Sequence, residues 1–343
     1  MMTEIKGEKT TSMSINGLRG LMGTEPISFS KYGKRTYGTV FLRGVEGITV
    51  KLIGFTDNPY KDMYTLATSC WGDKIDKWHD TEPEYRFLVV KAVLEKRTLP
   101  LPLESAQFTF AVENVSRWAF DQHARQRLGV VFSSMGTRDN DHRNIGFRVH
   151  EALWKKKKLR DAFMKQCLAC KKVYVDIVDK GKGSWQTARS ILPISCLHRY
   201  SFSANYAALQ SFCAHRMKFC EAEDIVAVAW LVREEMKKKF PLLACYLRPG
   251  CDFTKKCDYH KSYSLSEAFG CLFKSCGRHR VYDEKGNVVD DSYQQFNESC
   301  SDSKTIAEQL LIRIPDPSDT DWFKLPETLL DLDEKDARKF EED

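Results

Sequence analysis

The chain has 343 residues, with 53 Lys and Arg against 47 Asp and Glu, a net charge of +6, and 42% hydrophobic and 12% aromatic residues. That composition argues for a folded protein with a full core and against a disordered chain. No apolar run approaches the roughly 20 residues of a bilayer span, and residues 1–13 are polar without the apolar centre of a secretory signal, so a cytoplasmic protein is expected.

Twelve cysteines without such a signal read as reduced thiols or metal ligands, not as a disulfide frame. Charge is unevenly spread. From Leu311 onward eleven Asp and Glu face five Lys and Arg, a tail of −6, so the remaining body carries about +12. A basic body suits anionic cofactors and nucleotides, and it would equally serve a nucleic-acid backbone.

In chain order, residues 1–47 form an N-terminal extension with one short hairpin expected around Tyr37–Arg43. Ile48–Phe55 and Phe108–Glu113 alternate as strands, and Tyr85–Arg97 carries Phe87, Val90, Ala92, Val93 and Leu94 at helical spacing. Asn114 is the expected N-cap of a helix to about Leu128, which Gly129 would stop in a left-handed conformation. Leu159, Phe163, Cys167, Cys170, Tyr174 and Ile177 step by four or three, a buried helical stripe. The C-x-x-C pair within it reads as packing and not as a metal site.

Lys180–Ser184 is a loop. If a helix runs continuously from Asn205 to Arg216, both side chains leave from one face, about 16 Å apart, a ruler for a long ligand. A partner helix, Glu221–Lys239, ends in three lysines at its negative pole and stops at Phe240-Pro241. His123, His198 and His215 read as core or rim residues. The domain reading is a catalytic domain over 48–250, a Cys-rich segment over 251–280 and an acidic tail over 281–343, partly disordered or draped on the body. In the Cys-rich segment, Cys251, Cys257, Cys271 and Cys276, with His260 nearby, are candidate ligands for a tetrahedral zinc; free thiols are the alternative.

The set Ala188-Arg189-x-x-Leu192-Pro193, Asn205, Leu209, Phe212 and Arg216 resembles the second half of the flavin-dependent thymidylate synthases, the ThyX family. The resemblance reaches back through Gln122-x-x-Arg125-Gln126-Arg127, similar to the stretch that holds the family's R-H-R signature, and covers roughly residues 48–245. It implies an α/β fold of the α+β type, with a twisted, mainly antiparallel sheet flanked by long helices, in a homotetramer. The implied ligands are FAD, NADPH, methylenetetrahydrofolate and a pyrimidine deoxynucleotide, most simply dUMP.

Residue by residue, the resemblance implies flavin contacts from Glu104, Arg125, Gln126, Arg127 and Asn205. It implies nucleotide contacts from Gln122, Arg189 and Arg216; the composition of the Phe132–Asp139 loop adds Ser134 and Arg138, and Arg138, Arg189 and Arg216 are expected to converge on one anionic pyrimidine. Several positions depart from the family. Gln126 stands for a histidine and cannot titrate near neutral pH; Leu99 and Ser105 replace histidines, and Ala207 replaces an arginine. The loop Phe132–Asp139 lacks the family's Asn-Glu pair, although its hydroxyls, Gly136 and Arg138 still suit a phosphate. Two alternatives follow, hydroxymethylation of dUMP or dCMP on the same scaffold, and a non-catalytic or nucleic-acid-binding relative.

Overall fold

The computed structural model describes residues 28–32, 35–72, 77–181, 183–218, 221–250, 281–282, 288–290, 303–314 and 325–341. They fall into two compact units, Met1–Gly47 with Gly136–Leu197, and Ile48–Met135 with His198–Asp343. Cys251, Cys257, Cys271 and Cys276 lie outside the described residues.

In the first unit Ser28–Tyr32 and Arg35–Thr39 form an antiparallel hairpin. The expected hairpin at Tyr37–Arg43 is thus displaced: Phe41–Arg43 leaves it and pairs in parallel with Phe147–Val149. Packing explains the departure, because Phe41 stacks on Phe147 at 5.7 Å and both are buried with Ile145, Val149, Cys167 and Cys196. Gly146 is required there, since a Cβ would lie 2.4 Å from the Val40 side chain.

The helix Lys157–Asp179 supplies Phe163, Met164, Cys167 and Leu168 to this cluster, and Tyr174 and Val175 to a second one with Tyr37 and Ala188. The expected stripe therefore holds from Phe163 onward, while Leu159, in the first turn, is exposed. Burial pushes the Cys167 thiol up to about 11, as fits a packed and inert sulfur.

Charges fill the rest of this unit. Arg148 is buried and donates to the carbonyls of Gly44 and Glu46. Lys171 is buried and donates to Gly38 O and Thr39 Oγ1, and desolvation pulls its ammonium down to about 7. Arg43 grips the buried Glu151 with two hydrogen bonds of 2.9 and 2.8 Å.

The second unit is a four-stranded sheet in the order Thr49–Phe55, Gln107–Ser116, Leu197–Asn205, Val130–Ser134. The first pair is antiparallel, and so is Val130–Ser134 with its neighbour. Alternation turns Phe108, Phe110, Val112, Tyr200 and Phe202 inward, and Ile225, Val228, Ala229, Val232 and Met236 of the helix Glu223–Lys239 are buried with them.

Local details correct the sequence reading. The helix expected at Tyr85–Arg97 is Pro83–Leu94, with proline at its first turn, where the missing N–H costs nothing. Asn114 is no cap: at φ 63 it lies within the strand, and Ser116 takes the role by accepting from Ala119 N at 3.2 Å. The helix that follows is only Arg117–His123. Gly129 is left-handed as expected, at φ 70, but it leads into a strand. Asn205 is the last residue of a strand and the N-cap of the helix Tyr206–Arg216, so it does not share a helical face with Arg216. Pro241 stops one helix and opens the next, Pro241–Cys245.

The end of the acidic tail is structured. Glu334–Glu341 is a helix whose Phe340 is fully buried, stacked on Tyr60 at 4.7 Å with Phe87 and Trp78 at 5.8 and 6.1 Å. Asp336, also buried, accepts from the Tyr60 hydroxyl and from Leu242 N.

Candidate functional site

The start of the helix Tyr206–Arg216 is where three separated segments of the second unit meet. Asn205 caps it by accepting from Ala208 N at 2.8 Å, worth about 1 kcal/mol for such a cap. Its backbone N–H donates to Gly129 O at 3.0 Å, and Gln126 Nε2 donates to Ala208 O at 2.6 Å. Tyr206 N donates to Ala106 O at 2.9 Å, which brings in the short helix Leu101–Ser105 and with it Glu104. Gly129 is obligatory here, both for its positive φ and because a Cβ would fall 2.7 Å from the Asn205 amide.

The five flavin-side candidates, Glu104, Asn205 and the Arg125–Gln126–Arg127 turn, are therefore gathered by main-chain and amide bonds. Glu104, Arg125 and Arg127 are exposed. Among the described residues neither arginine has a carboxylate partner. The turn that Gln126 ties to the helix start carries two guanidinium groups without a carboxylate partner, and the positive pole of the helix adds to their charge, although Tyr206 N and Ala208 N are already bonded to Ala106 O and Asn205. This donor set fits a phosphate-bearing cofactor. Gln126 holds the frame through its amide N–H and Asn205 through its amide oxygen. The expected last helical turn for the two arginines is absent, because the helix ends at His123.

At the other end of the helix, Arg216 is paired with Glu221. His123 lies flat on Phe212 at 4.1 Å, with its Nδ1 2.8 Å from the Tyr200 hydroxyl. Burial, helped by the positive charge of Arg216, lowers its pKa to about 3, so it is neutral at physiological pH. His198 is likewise buried among rings, and His215 bonds back to Ser211 O within its own helix. Gln122, next to His123, has a buried Oε1 without a hydrogen-bond partner. Ser134 is exposed on the edge strand opposite Tyr200. Arg199 is an exposed cation whose carbonyl accepts from Met135 N, beside Ser134; the sequence reading passed over it, and only strand register reveals it.

The remaining nucleotide-side candidates are in the first unit. Arg189 Nη1 lies 3.2 Å from Thr137 Oγ1, which joins the arginine to the loop that precedes Arg138. Arg138 is exposed, 3.9 Å from Asp139. Arg138 and Arg189 thus share one unit, while Gln122, Ser134 and Arg216 belong to the other.

Comparison with known proteins gives this arrangement a context. The family described as thymidylate synthase complementing protein matches residues 51–242. A flavin-dependent thymidylate synthase of Clostridium tetani is 26% identical, over 60% of this chain and 88% of its own. One from Pyrococcus furiosus is also 26% identical, over 56% of this chain and 80% of its own. Among solved structures, a UMP/dUMP methylase from Streptomyces cacaoi bound with 5-Br dUMP has a TM-score of 0.51 at 17% identity, covering 60% of this chain and 96% of its own; at that identity the likeness concerns the fold.

Proposed function

The chain belongs to the thymidylate synthase complementing protein family, the flavin-dependent thymidylate synthases, and from that premise we propose that it transfers a one-carbon unit to C5 of a pyrimidine deoxynucleotide, most simply dUMP to dTMP. The observation that carries the reading is the frame at the start of Tyr206–Arg216, where segments known from the family for flavin binding meet beside two uncompensated arginines. A reduced flavin supplies the hydride and methylenetetrahydrofolate the carbon when bound, with NADPH as reductant.

The protein's own residues have to align and neutralise. Arg125 and Arg127 would hold the phosphates of FAD, and Glu104 would contact the same cofactor. Gln126 and Asn205 hold the turn and the helix start at fixed spacing, since a misplacement of about 1 Å at such a site costs up to 100-fold in rate. On the nucleotide side Arg189, braced by Thr137, and Arg138 are the phosphate-binding candidates of the first unit, and Gln122, Ser134 and Arg216 are the nucleotide-binding candidates of the second. The active form is a homotetramer. The altered Ser133–Arg138 loop supports a second outcome, hydroxymethylation of dUMP or dCMP.

The test is a purified protein and its spectrum, followed by product analysis with dUMP and dCMP. Bound flavin that bleaches with NADPH or dithionite, and a 5-methyl or 5-hydroxymethyl nucleotide, are expected. A colourless protein that takes up no FAD on reconstitution would refute the proposal.

A further inference from the structure

One face of the helix Lys157–Asp179 is left over by the fold and by the site. Lys158, Ala162, Lys165, Ala169 and Lys172 recur at intervals of four and three, so they form a single line, and all five are exposed. The three lysines repeat about every 10.5 Å along a stripe about 21 Å long. Lys156 and Lys157 extend the charge at its start. Among the described residues none of these five lysines has an ion pair, and the nearby acids are already engaged: Asp161 with Arg160, Asp176 with Lys180, Asp179 with Arg143, and Glu151 with Arg43 and Lys155. The alanines between the lysines leave the backbone of the helix open to a rod lying along it.

We propose that this stripe binds the phosphodiester backbone of a nucleic acid, a function separate from the flavin frame. A linear array of charges suits a linear polyanion: the repeat spans about three nucleotides of a B-form strand at 3.4 Å each. A bilayer would need an apolar face, and that face of the helix is consumed by Phe163, Cys167, Tyr174 and Val175 in the unit's own core. Lysines without base-reading partners give backbone contact and no sequence preference.

Fluorescence anisotropy of the full chain with duplex and single-stranded DNA across salt tests it. Three contacts predict a loss of about 20- to 40-fold in affinity between about 50 and 200 mM salt. K158A/K165A/K172A should remove most of both affinity and salt slope and leave nucleotide turnover unchanged. K51A/K237A/K335A, with the same net charge, should bind as wild type; whichever strand form binds tighter identifies the source. Absence of binding at low salt, equal loss in the control variant, or equal stripe-dependent binding of polyglutamate or anionic vesicles would overturn it. None of these outcomes bears on flavin binding, so the two proposals fail separately.

Discussion

The second unit, although it also buries ions such as Asp224, Arg233 and Asp336, is centred on rings: His123 on Phe212, Phe110 on Phe202 at 5.1 Å, Phe340 on Tyr60. In the first unit the interior is made as much of charge, with Arg148, Lys171 and Glu151 all buried and spent on backbone carbonyls, a hydroxyl or a partner arginine. Rings stabilise by area and contact, which responds to volume. Buried ions contribute by satisfying specific polar groups, which responds to protonation and to loss of a partner. The two units should therefore break under different insults.

The largest expected effect is in the ring-built unit. Phe340→Ala removes a fully buried ring far from the strands in sequence, and should destabilise by about 3–5 kcal/mol in urea unfolding followed by tryptophan fluorescence. A loss under about 1 kcal/mol would mean that the tail helix is no part of this core.

Protonation comes next, and its sign differs from group to group. Burial raises Asp336 to about 6 from 3.8, so its contribution is complete below about pH 4 and is lost as pH rises through 6, about 3 kcal/mol in all. His123, lowered to about 3, acts oppositely over an overlapping window, complete above its ordinary value and lost as pH falls through 3. Asp336→Asn should therefore make stability rise more steeply between pH 4 and 6 than in the wild type. In the first unit Lys171, lowered to about 7, contributes stability that is complete above its ordinary value near 10.5 and is lost as pH falls through 7. Lys171→Met should flatten the wild-type rise above pH 7 in unfolding monitored by hydrogen exchange of Gly38–Arg43. An unchanged rise would assign it to another group.

Smaller effects probe the frame. Gly129→Ala must adopt a left-handed φ and crowd the Asn205 amide, an expected cost of about 1–2 kcal/mol together with weaker flavin retention. Asn205→Ala removes the cap alone, about 1 kcal/mol. Equal flavin retention in both variants and the wild type would separate the frame from cofactor binding.

The long helices were legible in the sequence because periodicity and composition agree over many residues: 157–179 and 223–239 each lie within two residues of the expected span. The hairpin, the Ser116 cap and the strand ending at Asn205 were not. In each case a tertiary partner decides, Phe147 for Phe41, Asp224 for Ser116 N at 2.9 Å, Gly129 for Asn205. The docking of Phe340 on Tyr60 has no local signal at all, being a contact between residues 280 positions apart. At the site, resemblance supplied the arginines and the amides. The joint hold of Gln126 and Asn205 on Ala208 and the brace of Thr137 on Arg189 are facts of folding that no motif spells out.

Calorimetric titration of dUMP into the FAD-loaded protein, wild type against Arg189→Ala, goes to the centre of the functional reading. Loss of a charged hydrogen bond to phosphate should weaken binding by about 1.5–3 kcal/mol, roughly 10- to 150-fold. Identical affinity in the two proteins, or no binding of dUMP by either, would contradict a nucleotide site built on Arg189.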